Sequence, residues 1–456
     1  MPLIWNTNPP DIVLAEAARL GRPVLLYWGA TWCPPCNRIK AGVFAHPAFE
    51  ALASQCVLLH LDGDAVGAQR PAARLHLRSY PTLVLYRPDG NEITRLPCEL
   101  APERFLALLA LALTAPYSVA ESLSAALSRE RPLADAEWQL LASYSWDTDE
   151  RQVLKSLDLA ATLTSLTRAC NLPEALLRLQ WHALHAAAVS GKGGIDQQAA
   201  IDRLVSTLAD PLAVRAHYDI VCDQAVGLLR FLTVPDSPQR LQLAAAWSQA
   251  LIGMEQDSTL NLADQLAALR TRVRLARLGL PAPDIEVLAL ARVSAALQAA
   301  SGPALRHQIV NTAAGLLSDA GLLADAERVL FAELPRSHAP YFFMHSLAAI
   351  AKKRGDPAAA LQWYKRACDG TPGGATGLQW RATYLQALLD FAPLDMARID
   401  SCANHLLRQV AALGMDAACQ RNRSQLERVA SRLPASEDKQ AAVGALRQLI
   451  TGLLQE

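Results

Sequence analysis

The apolar residues of this chain follow two different rules along its length. Up to about residue 114 they come in short continuous runs between turn residues, and from about residue 118 they recur at helical spacing. Arg22-Pro23-Val24-Leu25-Leu26-Tyr27-Trp28 predicts a buried strand, and Val57-Leu58-Leu59-His60-Leu61-Asp62 a second. Thr82-Leu83-Val84-Leu85-Tyr86 and Glu92-Ile93-Thr94-Arg95-Leu96 flank the turn residues Arg87-Pro88-Asp89-Gly90-Asn91, which predicts a paired hairpin. Residues 105–115 form the longest apolar run; it is too short to span a bilayer and predicts the last helix of the first domain, closed by Ala115-Pro116. Beyond it Ala and Leu dominate. Breaks at Pro173, at Ser190-Gly191-Lys192-Gly193-Gly194, at Pro235-Asp236-Ser237-Pro238, at Pro281-Ala282-Pro283 and at Pro393 predict short helices with short links, an all-α solenoid or bundle.

Between the first strand and a helical segment opening at Asn37-Arg38-Ile39-Lys40-Ala41 lies Trp32-Cys33-Pro34-Pro35-Cys36. A thiol at a helix N-terminus meets orphan N–H groups and the positive end of the dipole, which favour the thiolate. Cys33 is therefore the candidate nucleophile and Cys36, one turn further, the candidate resolving thiol. A structural zinc site is the competing use of such a pair. It needs two further ligands, whereas no second Cys-x-x-Cys exists and His46 and His60 stand alone, so no metal is expected. Pro81, in Ser79-Tyr80-Pro81-Thr82, directly precedes a strand, where a residue without an N–H is tolerated only at the first position, and a cis Tyr80–Pro81 bond would account for it.

These features together resemble the thioredoxin family over about residues 8–114, and Val43-Phe44-Ala45-His46-Pro47-Ala48-Phe49 is most similar to the thioredoxin-like domains of bacterial thiol–disulfide interchange proteins. The resemblance implies an α/β domain with a central mixed sheet flanked by helices. It implies redox-active Cys33 and Cys36 with no other cofactor, a cis Pro81 beside them, and a Tyr80 backbone that pairs with an extended substrate segment. Trp32 would cover the sulfurs. Two departures stand out. Tyr27 occupies the position where many thioredoxins bury an Asp, and tyrosine is a poor base at neutral pH. Pro34-Pro35 replaces Gly-Pro, removing two N–H donors and stiffening the turn, so the redox direction stays open. Cys98, in Leu96-Pro97-Cys98-Glu99, falls where relatives carry a Gly facing the substrate groove; it reads either as an inert half-buried thiol or as one within reach of Cys33.

With 456 residues the chain has room for two or three domains, and zero formal net charge argues against a nucleic-acid partner. No basic n-region or long apolar h-region opens it. Nine cysteines, with Cys56, Cys98, Cys170, Cys222, Cys368, Cys402 and Cys419 scattered outside the motif, favour a reducing compartment, the cytoplasm; a removed leader would make it periplasmic.

The remainder divides into a helical region at 118–300 and a second at 301–456. In the second, Gly355-Asp356 with Ala360, Tyr364, Ala367 and Pro372 matches the second helix of a tetratricopeptide (TPR) unit, with Leu347, Ala348 and Ala351 in its first helix. One period of 34 residues earlier stand Gly321, Ala326 and Leu330, with Ala314 and Leu317 upstream, so TPR-like packing is expected over about 307–390; a non-repeating Ala/Leu-rich domain is the alternative. Trp380, Tyr384 and Leu388 suggest a degenerate third pair. His182 and His185 share a helix without an acidic third ligand and read as an ordinary amphipathic face. Residues 190–194 lack the first Gly and the Ser or Thr of a phosphate loop. Trp138 and Trp146 are expected to anchor the core.

Helical repeats bind rather than catalyse. The expected function is thus a thiol–disulfide oxidoreductase acting on protein cysteines, recharged by a reductase or other electron-donor protein, with the helical region holding a protein client or partner. The alternative is a thioredoxin–TPR chaperone resembling the bacterial chaperedoxins, whose Cys pair protects clients rather than turning over. An inactive scaffold fits an intact Cys pair poorly.

Overall fold

Four strands, β1 (Val24–Gly29), β2 (Val57–Asp62), β3 (Thr82–Tyr86) and β4 (Glu92–Leu96), form one sheet in the order β2-β1-β3-β4. In this computed structural model, which describes residues 4–149, 152–191, 195–414, 420–433 and 441–455, every residue of the central strands β1 and β3 is buried. Burial on both faces is why these strands read as continuous apolar runs instead of alternating ones. β3 and β4 make the expected antiparallel hairpin, Leu83 opposite Leu96 and Leu85 opposite Thr94, with an irregularity between Leu85 and Tyr86. Its turn closes through Arg87 N–H to the Asn91 carbonyl at 2.8 Å and through the Asp89 carboxylate, which accepts from Asn91 N–H at 2.9 Å.

Helices α1 (Pro10–Leu20), α2 (Pro34–Ala41), α3 (Pro47–Ala53), α4 (Gln69–Arg74) and α5 (Pro102–Thr114) complete the α/β part. All but α4 begin on proline, whose missing N–H would be an orphan in a first turn anyway. For the same reason α2 starts at Pro34, not at Asn37 as the polar run suggested, and takes Pro34-Pro35 into its first turn. α5 buries Phe105, Leu106, Leu108, Leu109 and Ala112. All later regular elements among the described residues are helices. Each expected break lies between two of them: Ala169 to Pro173, Ser190 to Gln197, Leu232 to Pro238, Ala276 to Ile285 and Phe391 to Met396. Lys192, Gly193, Gly194 and Cys419 lie outside the described residues. No single helix among those described is long and apolar enough to cross a membrane; Pro102–Thr114 and Val119–Ser128 pass such a test only as a pair bent by 80°.

By compactness the chain falls into two units, each assembled from separate stretches. The first comprises Met1–Tyr27, Asn37–Leu59 and Thr82–Leu322. Here Arg38 of α2 grips Asp264 of the helix Leu262–Ala276 through two hydrogen bonds, Nε to Oδ1 at 2.9 Å and a terminal nitrogen to Oδ2 at 3.0 Å. Burial works against the Arg38 charge, but the Asp264 carboxylate outweighs it and holds the guanidinium above its ordinary pKa. The edge strand β4 does not stand open: Ser145 N–H donates to the Arg95 carbonyl at 3.2 Å, and the fully buried Arg95 side chain reaches the Thr148 carbonyl at 2.7 Å. Deeper in the helical part, Trp181 and Trp247 pack edge to face at 5.6 Å within one apolar core, and Trp138 and Trp146 are buried as expected.

The second unit comprises Trp28–Cys36, His60–Pro81 and Leu323–Glu456. Its helices Leu323–Glu333, Pro340–Lys353, Pro357–Asp369, Gly374–Phe391 and Met396–Leu413 each pack on the next. Leu347, Ala348 and Ala351 of one helix and Ala360, Tyr364 and Ala367 of the following one are buried, so the small residues line the places where helices approach. This unit therefore holds both the Cys-Pro-Pro-Cys turn and the C-terminal helices.

Candidate active site

β1 ends at Gly29, Cys33 N–H turns back to the Ala30 carbonyl at 3.4 Å, and α2 begins at Pro34. A strand that stops at Gly29 and a helix that starts at Pro34 place Cys33 just before the first helical turn. Pro34 and Pro35 offer no N–H, and the Cys36 N–H lies 3.4 Å from Cys33 Sγ. Cys33 is 3 % exposed and Cys36 fully buried. The Tyr80–Pro81 peptide bond is cis. The Tyr80 ring packs against Trp28 at 5.0 Å and Trp32 at 6.1 Å, both edge to face. Gly63 makes this seat possible, because a Cβ there would fall 1.7 Å from the Tyr80 hydroxyl. Gln69 Nε2 donates to the Gly63 carbonyl at 2.7 Å and to the Tyr80 hydroxyl at 3.3 Å, tying the two together. Cys33, Cys36, Trp32, Pro34, Pro35, Tyr80 and Pro81 thus all belong to the second unit.

Sequence reasoning missed what holds Trp32. Its indole N–H donates to Asp64 Oδ2 at 2.9 Å and to Thr376 Oγ at 3.1 Å. Its ring stacks on Phe342 at 5.7 Å and meets Trp380 edge to face at 5.8 Å. His338 Nε2 lies 2.9 Å from the Thr31 carbonyl. Thr376 N–H also donates to Asp64 Oδ1 at 3.3 Å, so one carboxylate links the active-site turn to the start of the helix Gly374–Phe391. Burial raises the Asp64 pKa, and the hydrogen bonds from Thr376 and Trp32 pull it back down in part. The one local sign of this arrangement was the run Pro340-Tyr341-Phe342-Phe343, dense in aromatics for a chain that is only 6 % aromatic.

Gly374 sits at φ +65°, and a Cβ there would meet the Asp64 backbone oxygen at 2.6 Å. A backbone oxygen cannot swing away as a side-chain tip can. Gly374→Ala is expected to lower stability by at least about 1–2 kcal/mol, the cost of a left-handed non-glycine residue, before the clash is added. A thermal melt checks it, and an unchanged midpoint would contradict the placement of Asp64.

His345 extends the aromatic cluster, 5.3 Å from Trp380 and 5.0 Å from Tyr364. Burial pushes its pKa down to about 4. The unfolded chain therefore binds a proton on this ring that the folded chain refuses. The resulting stability is complete above about 6.5 and is lost as pH falls toward 4. His345→Gln should flatten that part of the pH profile between pH 7 and pH 4.5, measured by urea midpoints.

The other described cysteines are buried like the pair. Cys56, Cys98, Cys170, Cys222, Cys368 and Cys402 are all buried, and burial pushes Cys56, Cys368 and Cys402 up to about 12. Cys98 Sγ lies 3.7 Å from the Leu96 carbonyl. In the first unit Tyr27 is packed between Trp5 at 5.8 Å and Phe44 at 5.3 Å. Among the described residues no group of three or more His, Cys, Asp or Glu side chains could hold a metal ion.

A family model for a thioredoxin-like domain matches residues 11–113. Over 87 residues the chain is 36 % identical to a thiol:disulfide interchange protein DsbD 1 of Pseudomonas aeruginosa, covering 18 % of this chain and 14 % of that protein. It is 33 % identical over 92 residues to the thiol:disulfide interchange protein DsbD of Cronobacter sakazakii, covering 20 % and 16 %. A thioredoxin from Thermus thermophilus, solved in solution, is 27 % identical and covers 25 % of this chain and 89 % of its own, with a TM-score of 0.23. The chain thus spans about a sixth or less of the curated relatives it matches. Residues 11–113 are a thioredoxin-like domain related to those of bacterial thiol–disulfide interchange proteins, and a large helical region follows it.

Proposed function

We propose that the chain is a thiol–disulfide oxidoreductase acting on protein cysteines. The carrying observation is the Cys36 N–H 3.4 Å from Cys33 Sγ, at the first turn of α2, in one unit with cis Pro81. The orphan N–H groups and dipole of that turn favour negative charge on Cys33 sulfur. The Cys33 thiolate attacks one sulfur of a substrate disulfide, forming a mixed disulfide and expelling the other sulfur as a thiolate. Cys36, having lost its proton to solvent, attacks Cys33 Sγ, closes the Cys33–Cys36 disulfide and releases the second substrate thiol. Two electrons pass to the substrate, and a dithiol protein must return them. No cofactor beyond this dithiol is required. The Tyr80 backbone before Pro81 is suited to pairing with an extended substrate segment, and Trp32, Pro34 and Pro35 shape the approach.

The C-terminal helices are read as TPR-like over about 307–390. Gly321 and Gly355, both at positive φ and 34 residues apart, precede helices beginning at Leu323 and Pro357. Their part in the function is to hold Trp32 and to present a protein-binding face next to the redox turn. The hold on Trp32 favours this reading over a holdase whose helices act independently of the cysteines.

Insulin reduction by the full chain tests the proposal. Cys33→Ser should abolish turnover. Cys36→Ser should also stop it while accumulating mixed disulfides on Cys33. Undiminished activity in Cys33→Ser would refute the assignment, and aggregation suppression that survives both substitutions would favour the chaperone alternative.

A further inference from the structure

Trp32 stands next to the candidate nucleophile, and its indole is held by three rings and two oxygens: Phe342, Trp380, Tyr80, Asp64 Oδ2 and Thr376 Oγ. Phe342 lies nearly parallel to it, at 26°. One residue earlier, the Thr31 carbonyl meets His338 Nε2 at 2.9 Å. All these groups belong to the second unit. Asp64 and Tyr80 come from the α/β part of the chain. His338, Phe342, Thr376 and Trp380 come from the C-terminal helices and the loop before Pro340.

The chemistry asks for the opposite of such a hold. A substrate disulfide has to bring one sulfur into contact with Cys33 Sγ, and Cys33 is 3 % exposed. A segment paired with the Tyr80 backbone runs beside Trp32, because the two rings pack together. The indole face it would meet is already stacked on Phe342.

The hold is also made to come apart. Asp64 is partly buried, yet it makes no ion pair among the described residues. Its carboxylate is met by the neutral donors Trp32 Nε1–H and Thr376 N–H, and its charged neighbour is a second carboxylate, Asp62. A carboxylate drawn partly out of water without a counter-charge loses hydration that neutral donors only partly replace. Releasing Trp32 restores that hydration, which offsets some of the aromatic contact that is lost.

We propose that the chain rests in an autoinhibited form. The helices Pro340–Lys353 and Gly374–Phe391 cap the redox turn by holding Trp32, and a substrate disulfide reaches Cys33 only after Trp32 leaves Phe342, Thr376 and Trp380. The cap is a segment of the chain itself, lying where a substrate has to lie. That this is inhibition presupposes the oxidoreductase reading; that the cap controls access to Cys33 does not.

The test weakens the cap from the helical side alone, in the full chain. Thr376→Val removes one acceptor of the Trp32 N–H and keeps the shape of the side chain. Phe342→Leu removes the stacked ring and keeps the site apolar. One hydrogen bond and one aromatic pair each shift the opening equilibrium about two- to tenfold. The double variant should therefore raise kcat/KM for insulin, and the rate of the reduced chain toward oxidised glutathione, at least about fivefold. Iodoacetamide modification of Cys33, assigned by peptide mapping, should quicken by the same factor. Cys368 and Cys402, buried in the same unit, should react as slowly as before, which separates opening of the cap from general loosening. If the double variant shows no melting transition, Thr376→Val alone serves, with an expected rise of about twofold or more. Unchanged rates at Cys33 in folded variants overturn the cap. So does a fall in insulin reduction with an unchanged rate toward oxidised glutathione, which would make these helices a substrate-binding face instead. Faster alkylation of Cys33 with no turnover in any form, wild type included, would leave the cap over a thiol that does no redox work, so the oxidoreductase reading fails separately.

Discussion

Trp380→Ala is expected to speed iodoacetamide modification of Cys33 about 5- to 150-fold. Cys33 is 3 % exposed, and the residue before it is clamped by Phe342, Trp380, Thr376 and Asp64. A reagent reaches the sulfur when that clamp opens, so the rate follows the opening equilibrium. Trp380 contacts Trp32, Tyr341 and His345 at ring separations of 5.8, 5.0 and 5.3 Å. Aromatic pairs contribute about 0.5–1.5 kcal/mol each beyond buried area, which sums to roughly 1–3 kcal/mol after partial relaxation. At 1.4 kcal/mol per factor of ten this gives the stated range. Peptide mapping must assign the adduct to Cys33, since the other described thiols are buried to a similar degree. A rate unchanged from wild type would mean that the helical cover does not control access.

Asp264→Ala is expected to destabilise the first unit by about 3–5 kcal/mol, because it leaves the Arg38 guanidinium buried without its counter-charge. Arg38 also lies 5.6 Å above the Tyr218 ring, and the Tyr218 hydroxyl donates to the Asp264 carbonyl at 2.9 Å. The three residues therefore behave as one packed group joining α2 to the helical part of its own unit. Removing both charges, as Arg38→Met with Asp264→Leu, is expected to recover most of the loss, since a well-packed apolar pair avoids the desolvation cost. The double-mutant cycle, followed by urea unfolding, separates the pair's coupling from either truncation. A double-variant loss equal to the sum of the two single losses would show that the ion pair contributes nothing specific.

Much of the thioredoxin-like part was legible because its signals are local. β1 and β3 are buried on both faces and so read as unbroken apolar runs. The hairpin announced itself through Asp89-Gly90-Asn91, and Pro81 marked its strand by standing where a ladder donor belongs. Proline and glycine likewise placed the helix breaks. The start of α2 was misread by three residues because Pro34 and Pro35 look like breakers, although a first turn has no use for their N–H. The clamp on Trp32 left almost no trace. Thr376 and Asp64 are 312 positions apart, and no periodicity links them. Local pattern reports which face of an element is buried, and not what buries it.

The membership of the second unit bears on synthesis. The turn at 28–36 leaves the ribosome long before its partners at Phe342, Thr376 and Trp380. At about 5–20 residues per second the gap between them is roughly 15–70 s. Throughout that interval Trp32 lacks its contacts with Phe342, Thr376 and Trp380. The cover over Trp32 is thus acquired only once residues 342–380 have been made, and a ribosome stalled before residue 340 would display a Cys-Pro-Pro-Cys turn without it.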